Sequence, residues 1–226
     1  MRFVFDPPSP PAVALAGMDA RFPVRRIFCV GRNYADHAKE MGNDPKTDPP
    51  IFFTKPADAV ADGDVAYPPG TENLHHEGEF VLALGKGGAN IAEADALACV
   101  FAFGVGVDLT KRDTQAEAKK AGAPWDAAKG FDHSAPVGVL TPVSAASLPD
   151  RARLWLAVNG ETRQDADIAD MIWSPREIIA ALSRVWALKP GDLIFTGSPA
   201  GVSALQRGDV ITCGVDGAAE LRFSIR

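Results

Sequence analysis

The chain has 226 residues, 46% of them hydrophobic and 23% charged, enough to bury a sizeable core in one domain or in one domain with a small appendage. Its 21 glycines and 18 prolines predict a turn-rich, mostly β architecture. A formal net charge of -6 excludes nucleic acid as the main partner, because a polyanion needs a basic footprint; the three scattered cysteines, Cys29, Cys99 and Cys213, exclude a disulfide framework and a zinc ribbon and fit a reducing cytoplasm.

The first 23 residues are rich in proline, as in Pro7-Pro8-Ser9-Pro10-Pro11, and read as an extended arm or lead-in segment ahead of a compact domain over 24–226. They lack the layout of a secretory signal, and the longest apolar run, Ala96 to Val107, is too short to cross a bilayer. A soluble protein without a membrane partner is expected.

Arg26 to Val30 predicts a short buried strand, and Gly31-Arg32-Asn33 a turn with Asn33 capping a helix over Tyr34 to Met41. Strands follow at Ile51 to Thr54, ended by Lys55-Pro56, and at Glu79 to Leu84, stopped by Gly85-Lys86-Gly87-Gly88. In Phe101 to Leu109, Phe103, Val105 and Val107 take one strand face; Gly104, Gly106 and Asp108 take the other, which predicts a face cleared around a carboxylate. Thr110 is the expected N-cap of a helix running to Ala121, with Gly122 at its stop. Ser174-Pro175-Arg176-Glu177 combines a capping box with proline at the first helical position, ahead of an apolar stripe through Trp186. Short strands over Leu193 to Thr196, Val210 to Cys213 and Leu221 to Ile225 complete the chain.

Glu77 and Glu79 stand two apart in His75-His76-Glu77-Gly78-Glu79, so an extended backbone projects both from one face. A bound cation makes such clustering favourable, and Asp108 is a natural third oxygen ligand. All-carboxylate donors favour a hard ion, Mg²⁺ first and Mn²⁺ or Ca²⁺ next; His76 is expected to point away, which disfavours zinc. The competing reading leaves the two glutamates decorating an exposed strand. His37 and Glu40 lie one helical step apart, so the carboxylate could orient the imidazole as a base, although a solvated helix face explains the pair as well. Lys55, Arg112, Gln115 and Lys129 are cationic and polar candidates for holding an anionic substrate or an oxyanion. Thr196-Gly197-Ser198-Pro199 offers hydroxyl and N–H donors, or is an ordinary turn. Dinucleotide, Walker A and serine-elbow patterns are all missing.

Taken in order from Val24 to the C-terminus, these segments resemble the fumarylacetoacetate hydrolase superfamily. The resemblance rests on Phe28-Cys29-Val30-Gly31-Arg32-Asn33-Tyr34, the His37/Glu40 helix, Phe53-Thr54-Lys55-Pro56, Leu74-His75-His76-Glu77-Gly78-Glu79, Val107-Asp108-Leu109-Thr110-Lys111-Arg112-Asp113, Ala128-Lys129-Gly130-Phe131-Asp132, Val158-Asn159-Gly160 and Thr196-Gly197-Ser198-Pro199-Ala200-Gly201-Val202. Within it the chain is most similar to the fumarylpyruvate hydrolases of gentisate breakdown, through Phe22 to Phe28, Lys55 to Ala59 and Ala169 to Ser174. It departs from the usual pattern at Ser198 and Ser203, where threonine and glycine are customary.

The resemblance implies an α+β, mostly β fold, a mixed β-sheet roll with a few peripheral helices, assembled as a homodimer. It implies a hydrolase of carbon–carbon bonds in ketonic substances, acting on a small α-keto or β-diketo acid. Glu77, Glu79 and Asp108 would hold the metal, His37 and Glu40 would activate water, and Lys129 would meet the oxyanion. Arg32, Tyr34, Lys55, Arg112, Gln115 and Thr196 would contact the substrate. Acylpyruvate hydrolysis, oxaloacetate decarboxylation and a non-catalytic binding protein of the same fold remain as alternatives.

Overall fold

The computed structural model describes residues 2–35, 50–144 and 146–226. Its principal strands are β1 (Arg26–Gly31), β2 (Ile51–Lys55), β3 (Gly78–Leu84), β4 (Val100–Val107), β5 (Arg153–Val158), β6 (Glu161–Asp167), β7 (Asp192–Phe195), β8 (Val210–Val215) and β9 (Leu221–Ser224), with helices α1 (Arg112–Ala121) and α2 (Pro175–Val185). A six-stranded mixed sheet runs in the order Thr141–Pro142, β4, β3, β7, β1, β2, in which β7 and β1 pair parallel and every other pair is antiparallel. A four-stranded antiparallel sheet, ordered β6, β5, β8, β9, packs against it. The fold is mostly β with few helices, as composition and resemblance predict.

Alternation along the central strands builds two apolar layers, because successive side chains of a strand leave opposite faces. Phe28, Phe80, Leu82, Phe103, Val105 and Val107 enter a large core shared with Leu154 and Leu156 of β5, Ile211 of β8 and Ile178, Ile179 and Leu182 of α2. The intervening residues Ile27, Cys29, Val81, Ala83, Leu193 and Phe195 form a second layer on the opposite face. A hairpin of Ala12–Ala14 with Arg21–Pro23 covers that second layer, burying Val13 and Phe22. Burying each large apolar side chain contributes about 1.5–3 kcal/mol.

Two local expectations are corrected. Gly104 and Gly106 do not clear space for a carboxylate: a Cβ on Gly106 would meet the Phe195 ring at 2.8 Å, and one on Gly104 would meet Leu140 at 3.0 Å. These glycines admit core side chains, and the strand ends at Val107, one residue before Asp108. Nor does Thr110 cap a helix. Thr110–Lys111 pairs with Leu74–His75 as a short strand, and α1 begins at Arg112. The Thr110 hydroxyl is engaged elsewhere, donating to the Asp108 carbonyl and accepting from Lys129. Gly122 ends α1 in the left-handed region, and Glu177 accepts from the Ser174 backbone at the start of α2, both as predicted. The helix expected over Tyr34 to Met41 lies largely outside the described residues.

Candidate metal centre

The register of β3 and β4 brings the three acidic residues together. Gly78 pairs with Val107, so Glu77 and Asp108 face each other one step beyond the ladder, tied by a 2.8 Å hydrogen bond from the Asp108 N–H to the Glu77 carbonyl. Glu79, on the other side of Gly78, turns to the same point. One oxygen from each of Glu77, Glu79 and Asp108 lies within 4.8 Å of the others, and all three residues are buried. Converging, buried, all-oxygen donors fit a hard divalent cation.

Among the described residues, three cations contact this cluster. Lys129 Nζ lies 2.7 Å from Glu77 Oε2, 2.6 Å from Asp108 Oδ2 and 2.7 Å from Thr110 Oγ1, which commits all three ammonium donors. Lys55 Nζ lies 2.8 Å from the other oxygen of that carboxylate, Asp108 Oδ1. Arg112 Nη2 donates to Glu77 Oε1, and its Nη1 donates to Gln115 Oε1. Burial alone would lower the Lys129 pKa, yet Asp108 and Glu77 outweigh it and push it up to about 12. Glu79 moves the other way. Its burial, then the charges of Asp108 and Glu77, hold its carboxyl well above the usual range, against the pull of Lys129 and a hydrogen bond from Gly197.

That last bond explains a glycine. Gly197 adopts φ +103° and donates its N–H to Glu79 Oε2 at 2.6 Å; a Cβ there would meet Asn33 Cβ at 2.6 Å. The 196–199 loop thus braces a candidate metal ligand with its backbone. Thr196 itself faces inward, its hydroxyl donating to the Phe80 carbonyl at 2.8 Å; Ser198 of the same loop lines the cavity instead.

The structure groups Arg32, Arg112, Gln115 and Lys129 around one cavity with Glu77 and Glu79. Arg32 has φ 64°, a left-handed conformation that a non-glycine residue adopts at some cost. Lys55 stands behind the carboxylates, buried against Asp108. Tyr34 lines a separate cavity with Asp165, Asp170 and Ala200, and among the described residues its hydroxyl has no hydrogen-bond partner. His37 and Glu40 lie outside the described residues. His75 and His76 both have pKa values lowered to about 4, chiefly by burial, so both are neutral at pH 7.

His76 does point away from the glutamates, into a network centred on a residue that the sequence reading missed. Gln164 Oε1 accepts from His76 Nδ1 at 3.0 Å and from the Gly78 N–H at 2.9 Å. Its amide nitrogen donates to Ser198 Oγ at 2.7 Å and to the Pro199 carbonyl at 2.9 Å. The acceptor at Gln164 places the imidazole proton on Nδ1, which leaves Nε2 to accept from Ser203 Oγ at 2.9 Å. Both departures from the customary pattern, Ser198 and Ser203, belong to this network. Lys119, Trp125 and Phe53 also line the cavity without having been singled out. For Lys119 a signal existed, since it repeats with Arg112 and Gln115 at helical spacing.

A mixed roll presenting three buried carboxylates, with lysine and arginine turned onto them, forms a candidate site for a divalent metal ion. The chain belongs to the fumarylacetoacetate (FAA) hydrolase C-terminal family, whose pattern it matches over residues 26–226. Its structure superimposes with a TM-score of 0.98 on fumarylpyruvate hydrolase from Pseudomonas aeruginosa, solved with Mn²⁺ and pyruvate, at 46% identity and with 99% of each chain covered. It is also 43% identical to the mitochondrial oxaloacetate tautomerase of Mus musculus, covering 89% of this chain and 92% of the relative. The oxaloacetate tautomerase of Escherichia coli K12 is 40% identical, with 87% and 90% covered. Among the described residues, no helix is long and apolar enough to cross a membrane.

Proposed function

We propose that the protein hydrolyses the carbon–carbon bond of an acylpyruvate, fumarylpyruvate foremost, giving fumarate and pyruvate in gentisate breakdown. The observation that carries this reading is the convergence of Glu77, Glu79 and Asp108 on one point, with Glu77, Glu79, Arg112 and Lys129 lining the cavity beside it. The likeness to a fumarylpyruvate hydrolase over the whole chain supports the choice of substrate. A divalent ion, Mg²⁺ or Mn²⁺, held by the three carboxylates supplies Lewis acidity toward the oxygens of the pyruvoyl end.

In this reading Arg112, steadied by Gln115, holds the carboxylate at the pyruvoyl end of the substrate. His37, oriented by Glu40, takes a proton from water as the hydroxide oxygen attacks the distal carbonyl. Lys129 moves one of its three donors from a carboxylate to the oxyanion that forms. Collapse breaks the carbon–carbon bond and sends the electron pair to the pyruvate methylene carbon as an enolate, which reprotonation turns into pyruvate. The enzyme acts as a cytoplasmic homodimer.

The names of the curated relatives favour a second reading, tautomerisation of oxaloacetate, which moves a proton between carbon and oxygen and needs no attacking water. Decarboxylation of oxaloacetate would share the same binding mode. A side-by-side ultraviolet assay of fumarylpyruvate, acetylpyruvate and oxaloacetate, with Mg²⁺ and with chelator, separates these activities. Metal-dependent loss of the β-diketo absorbance is the expected result; stable acylpyruvates beside rapid enol–keto exchange of oxaloacetate would transfer the assignment to the second reading.

A further inference from the structure

Beyond the metal centre, the cavity has a second charged end. Arg112, Gln115 and Lys119 follow one another along one face of α1, and all three line the cavity. Arg112 is anchored at the carboxylate cluster; seven residues of helix carry the backbone of Lys119 about 10 Å along the axis from it. Among the described residues Lys119 makes no ion pair, and its ammonium lies 5.3 Å from the centroid of the Trp125 ring. Trp125 in turn meets Phe53 edge-on at 5.9 Å between centroids. The far wall is therefore a pair of aromatic rings, Phe53 with Lys129 Nζ 5.0 Å from its centroid at the carboxylate end and Trp125 with Lys119 at the other.

The charge balance has the same sense. Among the described residues, Arg112, Lys119 and Lys129 line the cavity against Glu77 and Glu79, while Lys55 and Asp108 pair behind it. A divalent ion adds to that positive excess. The groups facing Lys119 are mostly cations: burial first, then Arg112 and Arg32, hold its pKa below the ordinary lysine value, and Glu77, which favours the charged form, is already shared by Arg112 and Lys129. An anion brought to this point relieves repulsion, whereas a neutral group does not.

We infer that Lys119 receives a second carboxylate at the acyl end of the substrate, so that the Phe53–Trp125 wall carries the connecting chain and the site selects α-keto diacids over α-keto monoacids. The inference rests on the acylpyruvate reading for the orientation of the substrate, with its pyruvoyl end at the metal. An adjoining cavity of about 380 Å³ shares Phe53, Trp125 and Lys129 and is walled by Phe52, Pro124 and Trp186; it offers an uncharged chain a competing place. The commonplace alternative for Lys119 is a basic residue in the last turn of α1, stabilising the helix dipole without touching ligand.

Binding of a matched pair of non-hydrolysable probes tests this independently of turnover. 2-Oxopimelate and 2-oxoheptanoate have the same α-keto acid head and the same number of carbons, and differ by a terminal carboxylate against a methyl group. Titration calorimetry of the Mn²⁺-loaded protein should show the diacid bound at least tenfold more tightly. Lys119→Met should bring the ratio close to one, Lys119→Glu should invert it, and Lys119→Arg should restore most of it. No preference in the unaltered protein, or a preference that survives Lys119→Met, overturns the inference. A purely helical role would lower thermal stability in Lys119→Met and leave the ratio unchanged. If acylpyruvates prove not to be hydrolysed, the functional reading fails while the affinity ratio still decides the subsite.

Discussion

Lys129 Nζ stands 2.6 Å from Asp108 Oδ2, and neither side chain is more than 3% exposed. With Glu77 on the same ammonium, one lysine balances much of the charge that the carboxylate cluster carries when no cation is bound. Removing one partner of such a buried pair costs about 3–5 kcal/mol, because the remaining charges lose their counter-ion in a poorly solvating interior. Lys129→Met should therefore lose stability on that scale in urea unfolding with chelator present. Saturating Mn²⁺ supplies positive charge to the same carboxylates and should return part of the loss. Equal losses with and without metal would show that the lysine and the metal do not share these carboxylates.

Metal retention should depend on the two glutamates together. Glu77→Gln/Glu79→Gln keeps the shape of the side chains but removes two of the three anionic donors, so calorimetry should detect no Mg²⁺ or Mn²⁺ binding. The unaltered protein should be stabilised by about 2.7 kcal/mol at a metal concentration one hundred times Kd, and the double variant should show no such shift. Undiminished affinity in the variant would remove both residues from the ligand set.

Affinity for the ion should rise with pH. Glu79 is held above the usual carboxylate range by burial and by Asp108 and Glu77, so the metal-free folded state keeps its proton more tightly than the unfolded chain does. That contribution to folding is complete below the ordinary glutamate value of about 4.3 and is lost as pH rises through the raised folded value. Metal binding must expel the same proton. Mn²⁺ titrations in buffers of different ionisation enthalpy should record proton release at the acid end of the range, disappearing at higher pH as Kd tightens. A Kd independent of pH across this interval would contradict the shift.

The acidic triad was legible because its signals are local: a Glu-x-Glu pair, and an aspartate at the end of an alternating strand. Its cations were legible only as residue types. Nothing in the spacing of Lys55 and Lys129 says that they pair with the two oxygens of Asp108, since that follows from tertiary packing. The β5–β6 hairpin escaped for a different reason. Asn159 and Gly160 both have positive φ, as a tight hairpin turn requires, but β6 reads Glu-Thr-Arg-Gln-Asp-Ala-Asp and offers no apolar period. Gln164 is the one fully buried side chain of that polar strand, so its role is visible only once its four partners are in place. The hairpin of Ala12–Ala14 with Arg21–Pro23 was likewise hidden, because Val13 and Phe22 are too few to show a period among prolines.

Gln164 should act on the site through position rather than contact. It ties Gly78, which lies between the two candidate ligands, to Ser198 and Pro199 of the loop whose Gly197 braces Glu79. Gln164→Leu leaves these groups buried without partners, at about 1–3 kcal/mol for each one left unsatisfied. Urea unfolding should show that loss, and Mn²⁺ affinity should fall with it because both glutamates become less well placed. Gln164→Glu keeps an acceptor for Gly78 and His76 but loses the donors to the loop, so its effects should be intermediate. Metal affinity unchanged in Gln164→Leu would confine this residue to folding.

His37 separates the two chemistries most cleanly. Hydrolysis needs a base to deprotonate the attacking water, and loss of a positioned general base costs about 10²–10⁴-fold in turnover. Decarboxylation of oxaloacetate needs no such water, since the electron pair released with carbon dioxide is accepted by the bound keto acid itself. His37→Ala should therefore lower kcat for fumarylpyruvate by two to four orders of magnitude while leaving Mn²⁺ affinity intact, because the carboxylate ligands are untouched. Oxaloacetate decarboxylation, if the protein performs it, should fall far less. The split between kcat and metal affinity distinguishes loss of a base from collapse of the site. Unchanged kcat for fumarylpyruvate would take His37 out of the reaction and leave the water to another group.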